Sequence, residues 1–282
     1  MADPSFYHLY QGMYLPKFFH TLEALKRWED FTFRRDDVIV ATYPKSGTNW
    51  ALEIAPLVLS GGDPTVVNSV ATWERTICIG NEKALSMDLE NLPSPRIFST
   101  HFYYHVMPKS FYQVKPKVIN VLRNPKDILV SAFHYYGNVE YHANPGTLTE
   151  FLNKFLEGNV PFGSWFDHVK GWLNPEDKSH ILYLSFEEML QAQDLRQEVR
   201  RTAEFLEKPL EEEVIDRITD RCLFKNMKKH NNKAPSDLDH SKFFRKGIAG
   251  DWKNHLSEED AQHFDCVYKD KMKDVHFKFA WD

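Results

Sequence analysis

The chain has 282 residues, of which 42% are hydrophobic and 14% aromatic, so it can bury a substantial core within one large domain. Its 35 lysines and arginines are outnumbered by 40 aspartates and glutamates, which gives a formal net charge of −5. Because neither end carries a block of like charge, the composition argues against a nucleic-acid-binding arm, and we expect the functional basic residues to be local.

The sequence carries no signal for export or membrane insertion. Its first residues lack the basic start and long apolar stretch of a secretory signal, and no apolar run approaches the roughly 18 residues that span a bilayer. The cysteines Cys78, Cys222 and Cys266 are widely separated, which suits a reducing compartment better than a disulfide framework. No Cys/His spacing indicates structural zinc. We therefore expect a cytoplasmic protein with no metal in its site.

Short apolar runs alternate along the chain with segments of helical spacing. Strands are predicted at residues 38–41, 96–99, 118–122 and 181–184, and helices after Asn49, from Pro125 and near residues 148–156, 193–206, 211–222 and 257–272. Apolar strands that alternate with helices indicate parallel β-α-β units. With no repeat or linker in sight, we predict an α/β fold for residues 1–282, a single domain with a central, mainly parallel sheet flanked by helices. The polar, aperiodic stretch 224–250 is predicted to be a long functional loop.

Residues 43–48 (YPKSGT) connect the first of these strands to the first of these helices. A glycine turn that leads into a helix aims backbone N–H groups and the positive end of the helix dipole at one point, which favours a phosphate there. Lys45 adds an ammonium group, and Ser46, Thr48 and Asn49 add side-chain donors. The segment is not a Walker A loop, because its lysine precedes its glycine and the upstream glycine is missing. Taken alone, it fits a turn with an exposed lysine about as well as an anion site.

Two later segments carry cations in positions that suit a phosphate. Arg123 ends the strand predicted at 118–122, and Ser131 lies about two turns into the next helix. Arginine binds phosphate oxygens bidentately, and a hydroxyl can complete the contact. Residues 245–247 (RKG) combine two cations with a glycine that permits a tight turn around an anion, and Phe243 and Phe244 precede them. Each segment, taken alone, also fits a solvated basic surface.

Together these segments resemble the cytosolic sulfotransferase family. YPKSGTNW at 43–50 is similar to the loop that binds the 5′-phosphosulfate of the donor 3′-phosphoadenylyl sulfate (PAPS), and RNPKDILVS at 123–131 and RKGIAGDW at 245–252 are similar to segments that bind its 3′-phosphate. The resemblance implies a P-loop-like nucleotide-binding core. The donor-binding residues that it implies are Lys45, Ser46, Gly47, Thr48, Asn49, Trp50, Arg123, Ser131, Phe186, Cys222, Phe224, Met227, Phe243, Phe244, Arg245, Lys246 and Gly247.

Some positions depart from the family pattern. Phe186 stands where many members carry a tyrosine that contacts adenine, so ring stacking survives without the hydroxyl. Cys222 stands where threonine is usual, and Ser99 replaces a frequent lysine, which reduces the positive charge near the sulfonate. The family's dimer motif is degenerate at residues 253–262, so both a monomer and a homodimer stay open.

The family's chemistry also assigns a base. Sulfonate transfer to a hydroxyl requires a group that takes the acceptor's proton and positive charge on the leaving phosphate. Histidine suits the first task near neutral pH. Among 13 histidines, His101 follows a predicted strand end and resembles the family's Thr-His catalytic segment. The resemblance thus implies His101 as the base and Lys45 as the group that stabilises the departing 3′,5′-bisphosphate (PAP), without a metal.

The acceptor and two rival functions stay open at this point. Candidates for an acceptor pocket, each of which also fits a core role, are Phe18, Phe19, Tyr103, Tyr135, Tyr136 and Phe162. Such a lining would suit a phenol, a steroid, a bile alcohol or an amine. A nucleotide kinase is disfavoured by the missing Walker spacing. A nucleotide-binding protein that has lost transfer is disfavoured by the presence of both Lys45 and His101.

Overall fold

The computed structural model describes residues 3–230 and 245–282, and it confirms the predicted α/β fold class. Its strands are β1 (Tyr7–Tyr10), β2 (Met13–Pro16), β3 (Val38–Thr42), β4 (Ile77–Cys78), β5 (Ile97–Thr100), β6 (Lys117–Leu122) and β7 (Ile181–Ser185). Its α-helices are α1 (Leu22–Glu29), α2 (Thr48–Leu59), α3 (Thr65–Ser69), α4 (Thr72–Arg75), α5 (Lys109–Val114), α6 (Pro125–Tyr136), α7 (Leu148–Glu157), α8 (Trp165–Leu173), α9 (Phe186–Met189), α10 (Ala192–Phe205), α11 (Glu212–Cys222), α12 (Phe224–His230) and α13 (Glu258–Met272). Short 3₁₀ segments lie at Glu82–Ser86, Tyr104–Val106 and Asp251–Asn254.

A parallel sheet in the order β4-β5-β3-β6-β7 organises the described residues. Strand β3 is central, with Val38 opposite both Ile97 of β5 and Lys117 of β6. After β3 the chain builds β4 and β5 on one side and then crosses to β6 on the other. In an open parallel sheet, ligands bind at such a switch point, beyond the carboxyl ends of the strands. This edge is therefore where a site is expected.

Helices cover both faces of the sheet because alternate residues of β3 point to opposite sides. Val38 and Val40 are buried in the apolar cluster formed with α2, α10 and α11. Ile39 and Ala41 are buried in a second cluster that includes β5 and α1. Every residue of β3 is buried, which explains why this strand reads as a continuous apolar run in the sequence. A third apolar cluster joins α6, α7, α8 and α13.

The prediction of a loop over residues 224–250 is wrong at its start, because Phe224–His230 forms the helix α12. Phe224 and Met227, three residues apart, both pack on the apolar cluster around α2, so one face of this polar segment is anchored. The short hairpin of β1 and β2 was not predicted from the sequence. Among residues 3–230 and 245–282, none of the helices combines the length and apolar character needed to cross a bilayer.

Candidate functional site

A cavity of about 840 Å³ opens where the loops after β3, β5 and β6 meet. It brings together most of the residues that the sequence singles out: Lys45, Gly47, Thr48, Asn49, Trp50, His101, Arg123, Ser131, Phe186, Phe224, Met227, Arg245, Lys246 and Gly247. Among the described residues, Ser46 and Cys222 are predicted for the site but do not line this cavity; both are buried, and Cys222 belongs to the core cluster around α2. The predicted contacts Phe243 and Phe244 lie outside the described residues.

The loop between β3 and α2 has the backbone of an anion site. Gly47 precedes α2 at φ +116°, and within the described ranges no side chain caps this helix. The first N–H groups of α2 are therefore left for an external acceptor, which is the usual way that a helix start binds phosphate. The positive φ strains any other residue at Gly47, and a Cβ there would lie only 3.1 Å from the Phe186 ring, so both features favour glycine.

Lys45 lies within a concentration of positive charge. Its Nζ is 4.1 Å from the centroid of the Tyr135 ring, and its carbonyl accepts a hydrogen bond of 2.7 Å from Arg123 Nη1. Burial, with Arg123 and Arg245 nearby, lowers the pKa of Lys45 to about 7. Cations that disfavour one another in this way are stabilised when an anion lies among them.

Arg123 directly follows β6, and its guanidinium has one donor that none of the described residues uses. The group lies 3.9 Å from the centroid of the Phe186 ring, and burial is the main cause that lowers its pKa to about 10. Its Nε is buried without a hydrogen-bond partner among the described residues. An unsatisfied buried donor costs roughly 1–3 kcal/mol, so this N–H fits a bound oxyanion. Ser131, on the same helix that follows Arg123, also lines the cavity.

The third cationic segment is held by one buried carboxylate. Arg245 and Lys246 each lie 2.7 Å from Asp251, whose side chain is 1% exposed. Burial by itself raises the pKa of Asp251, but hydrogen bonds from Lys246, Asn254 and Arg245 hold it below the usual range for a carboxyl. Asp251 therefore stays ionised and orients both cations towards the cavity that they line.

Asp127 connects this cationic turn to helix α6, and sequence reasoning missed it, because its one local signal is an acidic residue in the first turn of that helix. Its carboxylate accepts hydrogen bonds from the backbone N–H groups of Gly250, at 2.7 Å, and Trp252, at 2.9 Å. Because α6 also carries Ser131 and follows Arg123, the same carboxylate fixes the distance between the two predicted 3′-phosphate segments.

We expect Asp127→Ala to raise the KM for the donor about tenfold and to lower the free energy of unfolding by about 1–3 kcal/mol, because two partly buried backbone N–H groups lose their acceptor. Steady-state kinetics and denaturant unfolding measure the two effects. Asp216→Asn, which removes an exposed ion pair with Arg196, serves as the control and should change neither quantity measurably. An unchanged donor KM in Asp127→Ala would show that the turn is held in place by other contacts.

Three aromatic rings form a platform beside the phosphate anchors. Trp50 lies edge-on to Phe186 with ring centroids 5.5 Å apart, and its centroid is 6.1 Å from that of Phe224. Gly247 lies so close to Phe224 that an added Cβ would be 2.3 Å from the ring. Met227 completes this apolar part of the cavity lining. Such a platform can stack a planar base.

His101 is held as a neutral imidazole with one defined tautomer. Its Nδ1 lies 2.8 Å from the carbonyl oxygen of Thr42, and because a carbonyl only accepts, Nδ1 carries the proton. Burial, with Lys45 adding to it, lowers the pKa of His101 to about 4. The ring packs edge-on against Phe162 at 4.9 Å. Its Nε2 therefore has a free lone pair near neutral pH and can accept a proton.

Most of the aromatic candidates for the acceptor pocket line the cavity, namely Phe18, Phe19, Tyr135, Tyr136 and Phe162. Tyr103 does not: it is buried in the core, where its hydroxyl accepts a hydrogen bond of 2.6 Å from the Ser164 N–H. The lining also includes two histidines that the sequence did not single out, His20 and His142. Within residues 3–230 and 245–282, no group of three His, Cys, Asp or Glu side chains is arranged to hold a metal ion.

Known proteins match this chain along nearly its whole length. The protein-family model of the sulfotransferase domain matches residues 35–276. Sulfotransferase 2B1 of Mus musculus is 40% identical to the chain over 285 residues, covering 98% of this chain and 83% of that protein. The 3-beta-hydroxysteroid sulfotransferase of Cavia porcellus is 38% identical over 290 residues, covering 100% of this chain and 99% of that protein.

A solved structure of a relative has the same fold. Mouse sulfotransferase SULT7A1, complexed with PAP, superposes with a TM-score of 0.81 at 29% identity, covering 96% of this chain and 95% of that one. These matches agree with the phosphate loop and the two cationic segments of the cavity. The chain belongs to the sulfotransferase family.

Proposed function

We propose that the chain transfers the sulfonate group of PAPS to a hydroxyl, or an amine, of a small apolar acceptor. The observation that carries the proposal is the meeting of His101 and Lys45 in one cavity, a neutral base with a free Nε2 beside a lysine among other cations. A protein that only bound nucleotides would have no need for this base. A Walker-type kinase would need the glycine spacing that residues 43–48 lack.

The chemistry assigns a separate role to each of these two side chains. His101 Nε2 takes the acceptor's proton as the acceptor oxygen forms its bond to sulfur. Lys45 stabilises the negative charge that develops on the phosphate oxygen as the bond between sulfur and that oxygen breaks. General base catalysis and charge stabilisation on a leaving phosphate are each effective in a cavity shielded from water. The proton ends on His101 and the electron pair on PAP.

The donor would be held at both of its phosphate-bearing ends. The start of α2 and residues 45–48 suit the 5′-phosphosulfate, because free N–H groups and Lys45 meet there. The Nε of Arg123, which has no partner in the part of the chain that the structure describes, suits the 3′-phosphate together with Ser131 and residues 245–247. The rings around Trp50 suit the adenine. The PAP in the mouse relative supports a donor of this kind.

The acceptor part of the cavity favours an apolar molecule with a reactive oxygen or nitrogen. Aromatic side chains dominate its lining, and they suit a phenol, a steroid, a bile alcohol or an amine. The relative from Cavia porcellus, whose name gives a 3-beta-hydroxysteroid as its substrate, supports a steroid among these. We place the activity in the cytoplasm, in agreement with three cysteines that are all free thiols.

The test is to incubate the purified protein with PAPS carrying a labelled sulfonate and a panel of phenols, steroids, bile alcohols and amines. We expect label in at least one acceptor and equimolar PAP, both with and without a chelator. Label in none of them, with PAPS still bound, would instead support a binding protein. Transfer that requires a divalent cation and accepts ATP as donor would support the kinase alternative.

A further inference from the structure

His142, in the aromatic part of the cavity, has a tautomer fixed by Tyr7. The Tyr7 hydroxyl oxygen accepts a hydrogen bond of 3.0 Å from the backbone N–H of Ala143. It also lies 3.1 Å from His142 Nδ1. Among the described residues the Tyr7 hydroxyl has no hydrogen-bond partner besides these two groups, so its proton is satisfied when it points at Nδ1, which then accepts. The neutral ring then carries its proton on Nε2, and His142 Nε2–H is a donor.

His20, between β2 and α1, has the opposite tautomer. Its Nδ1 lies 2.8 Å from the carbonyl oxygen of Gly80, which can only accept, so Nδ1 carries the proton and Nε2 a lone pair. The ring lies edge-on to Phe162, the same residue that packs against His101. His20 Nε2 is thus a hydrogen-bond acceptor in the part of the cavity next to the base.

Both imidazoles are neutral at physiological pH and have one unused nitrogen. Burial is the main cause that lowers the pKa of His20 to about 4 and, with Lys45 contributing, the pKa of His142 to about 3. The two residues are 2% and 6% exposed, and both line the cavity. Neither Nε2 has a hydrogen-bond partner among the described residues, and neither belongs to the fully buried atoms that lack one. Polar atoms in such positions are usually satisfied by a ligand or by water.

We propose that His20 and His142 form a second recognition site for the acceptor, which selects molecules that carry a polar group in addition to the one that is sulfonated. This inference rests on the proposed function and narrows its acceptor class. A hydroxyl satisfies either nitrogen, because it both donates and accepts. A ketone satisfies only the Nε2–H of His142, and an ammonium only the Nε2 lone pair of His20. The preferred acceptors are therefore dihydroxy compounds rather than apolar molecules with a single hydroxyl.

The experiment uses phenols that carry one further substituent, a hydroxyl, an acetyl, an aminomethyl or an ethyl group, at the ortho, meta or para position. We expect the hydroxyl to raise kcat/KM about tenfold over ethyl at one position at least, after correction for the number of hydroxyls. His142→Phe should remove the advantage of acetyl over ethyl and keep that of aminomethyl. His20→Phe should remove the advantage of aminomethyl over ethyl and keep that of acetyl. Each ratio is internal to one variant, so a general loss of activity does not affect it.

Two further variants separate recognition from packing. Tyr7→Phe removes the hydroxyl that fixes the His142 tautomer. The KM for the acetyl compound should therefore rise, which reduces its advantage over the ethyl compound, while kcat for the ethyl compound changes little. His263→Phe alters an exposed histidine away from the cavity lining and should leave every ratio as in the wild type. A thermal shift with PAP confirms that each variant is folded.

The outcomes distinguish this inference from the function on which it depends. Transfer to the ethyl compound with no advantage for any polar substituent would overturn the second site and leave the sulfotransferase function intact. Ratios that respond equally to both histidine substitutions would overturn the assigned tautomers, and with them the proposal. Absence of transfer to all the phenols and to the wider acceptor panel would instead count against the proposed function.

Discussion

Replacing His101 with asparagine is expected to lower kcat by about 10³-fold, the range typical of removing a general base. Asparagine tests the role of the base more specifically than alanine does. Its amide N–H can still donate to the Thr42 carbonyl, as His101 Nδ1 does at 2.8 Å, so this buried acceptor stays satisfied. What is removed is the lone pair of Nε2. His101→Ala removes both groups, and a comparison of the two variants separates the base from its anchor.

Single-turnover kinetics with enzyme in excess over PAPS measures this effect without interference from product release. Affinity for PAP, measured by calorimetry, should stay close to the wild-type value in His101→Asn. A folded variant that keeps near-wild-type turnover would show that His101 is not the base. His20 would then be the first alternative, since it lines the same cavity as a neutral ring with a free Nε2.

The nucleotide end of the site was predictable from the sequence because its parts are local. Each phosphate segment is short and contiguous, and the first two directly follow buried strands that are recognisable by their apolar runs. The ends of parallel strands meet at one edge, so Lys45, His101 and Arg123 had to lie near one another once the strands were assigned. The segment at 245–247 could be associated with them only through the family resemblance.

The contacts that hold these segments in place were not predictable. Asp127 bonds backbone groups more than 120 residues away, and Asp251 lies between two cations of its own turn; nothing in the spacing of either aspartate indicates this. Such bonds depend on the final packing of α6 and not on any local pattern. The sequence consequently identified the cations that face the ligand and missed the carboxylates that orient them.

The acceptor end was the least predictable, because aromatic residues suit a core and a pocket equally well. Tyr103 and Phe162 belong to the same buried apolar cluster, yet of the two only Phe162 lines the cavity. The states of His20 and His142 depend on a carbonyl and a hydroxyl that approach from distant segments. A sequence pattern records neither the direction of a side chain nor the partner of an imidazole nitrogen.

We expect kcat/KM for PAPS to be constant between about pH 4 and 7 and to fall at lower and at higher pH. The reaction needs neutral His101, with a pKa of about 4, so the rate falls as pH decreases through that value. It needs protonated Lys45, with a pKa of about 7 in the free protein, so kcat/KM falls as pH increases above it. In the pH profile of kcat, the alkaline fall should occur at a higher pH, because the donor's negative charges raise the pKa of Lys45.

Substitutions at Lys45 test the origin of the alkaline limb. Lys45→Met should lower kcat/KM by about 10³-fold, through the loss of charge stabilisation on the leaving phosphate. Lys45→Arg keeps its charge at every accessible pH, so it should lose the alkaline limb even though its different shape reduces the rate. Lys273→Met removes an exposed lysine and should keep the wild-type profile. An alkaline limb that persists unchanged in Lys45→Arg would assign it to another group, since no other change in charge accompanies that substitution.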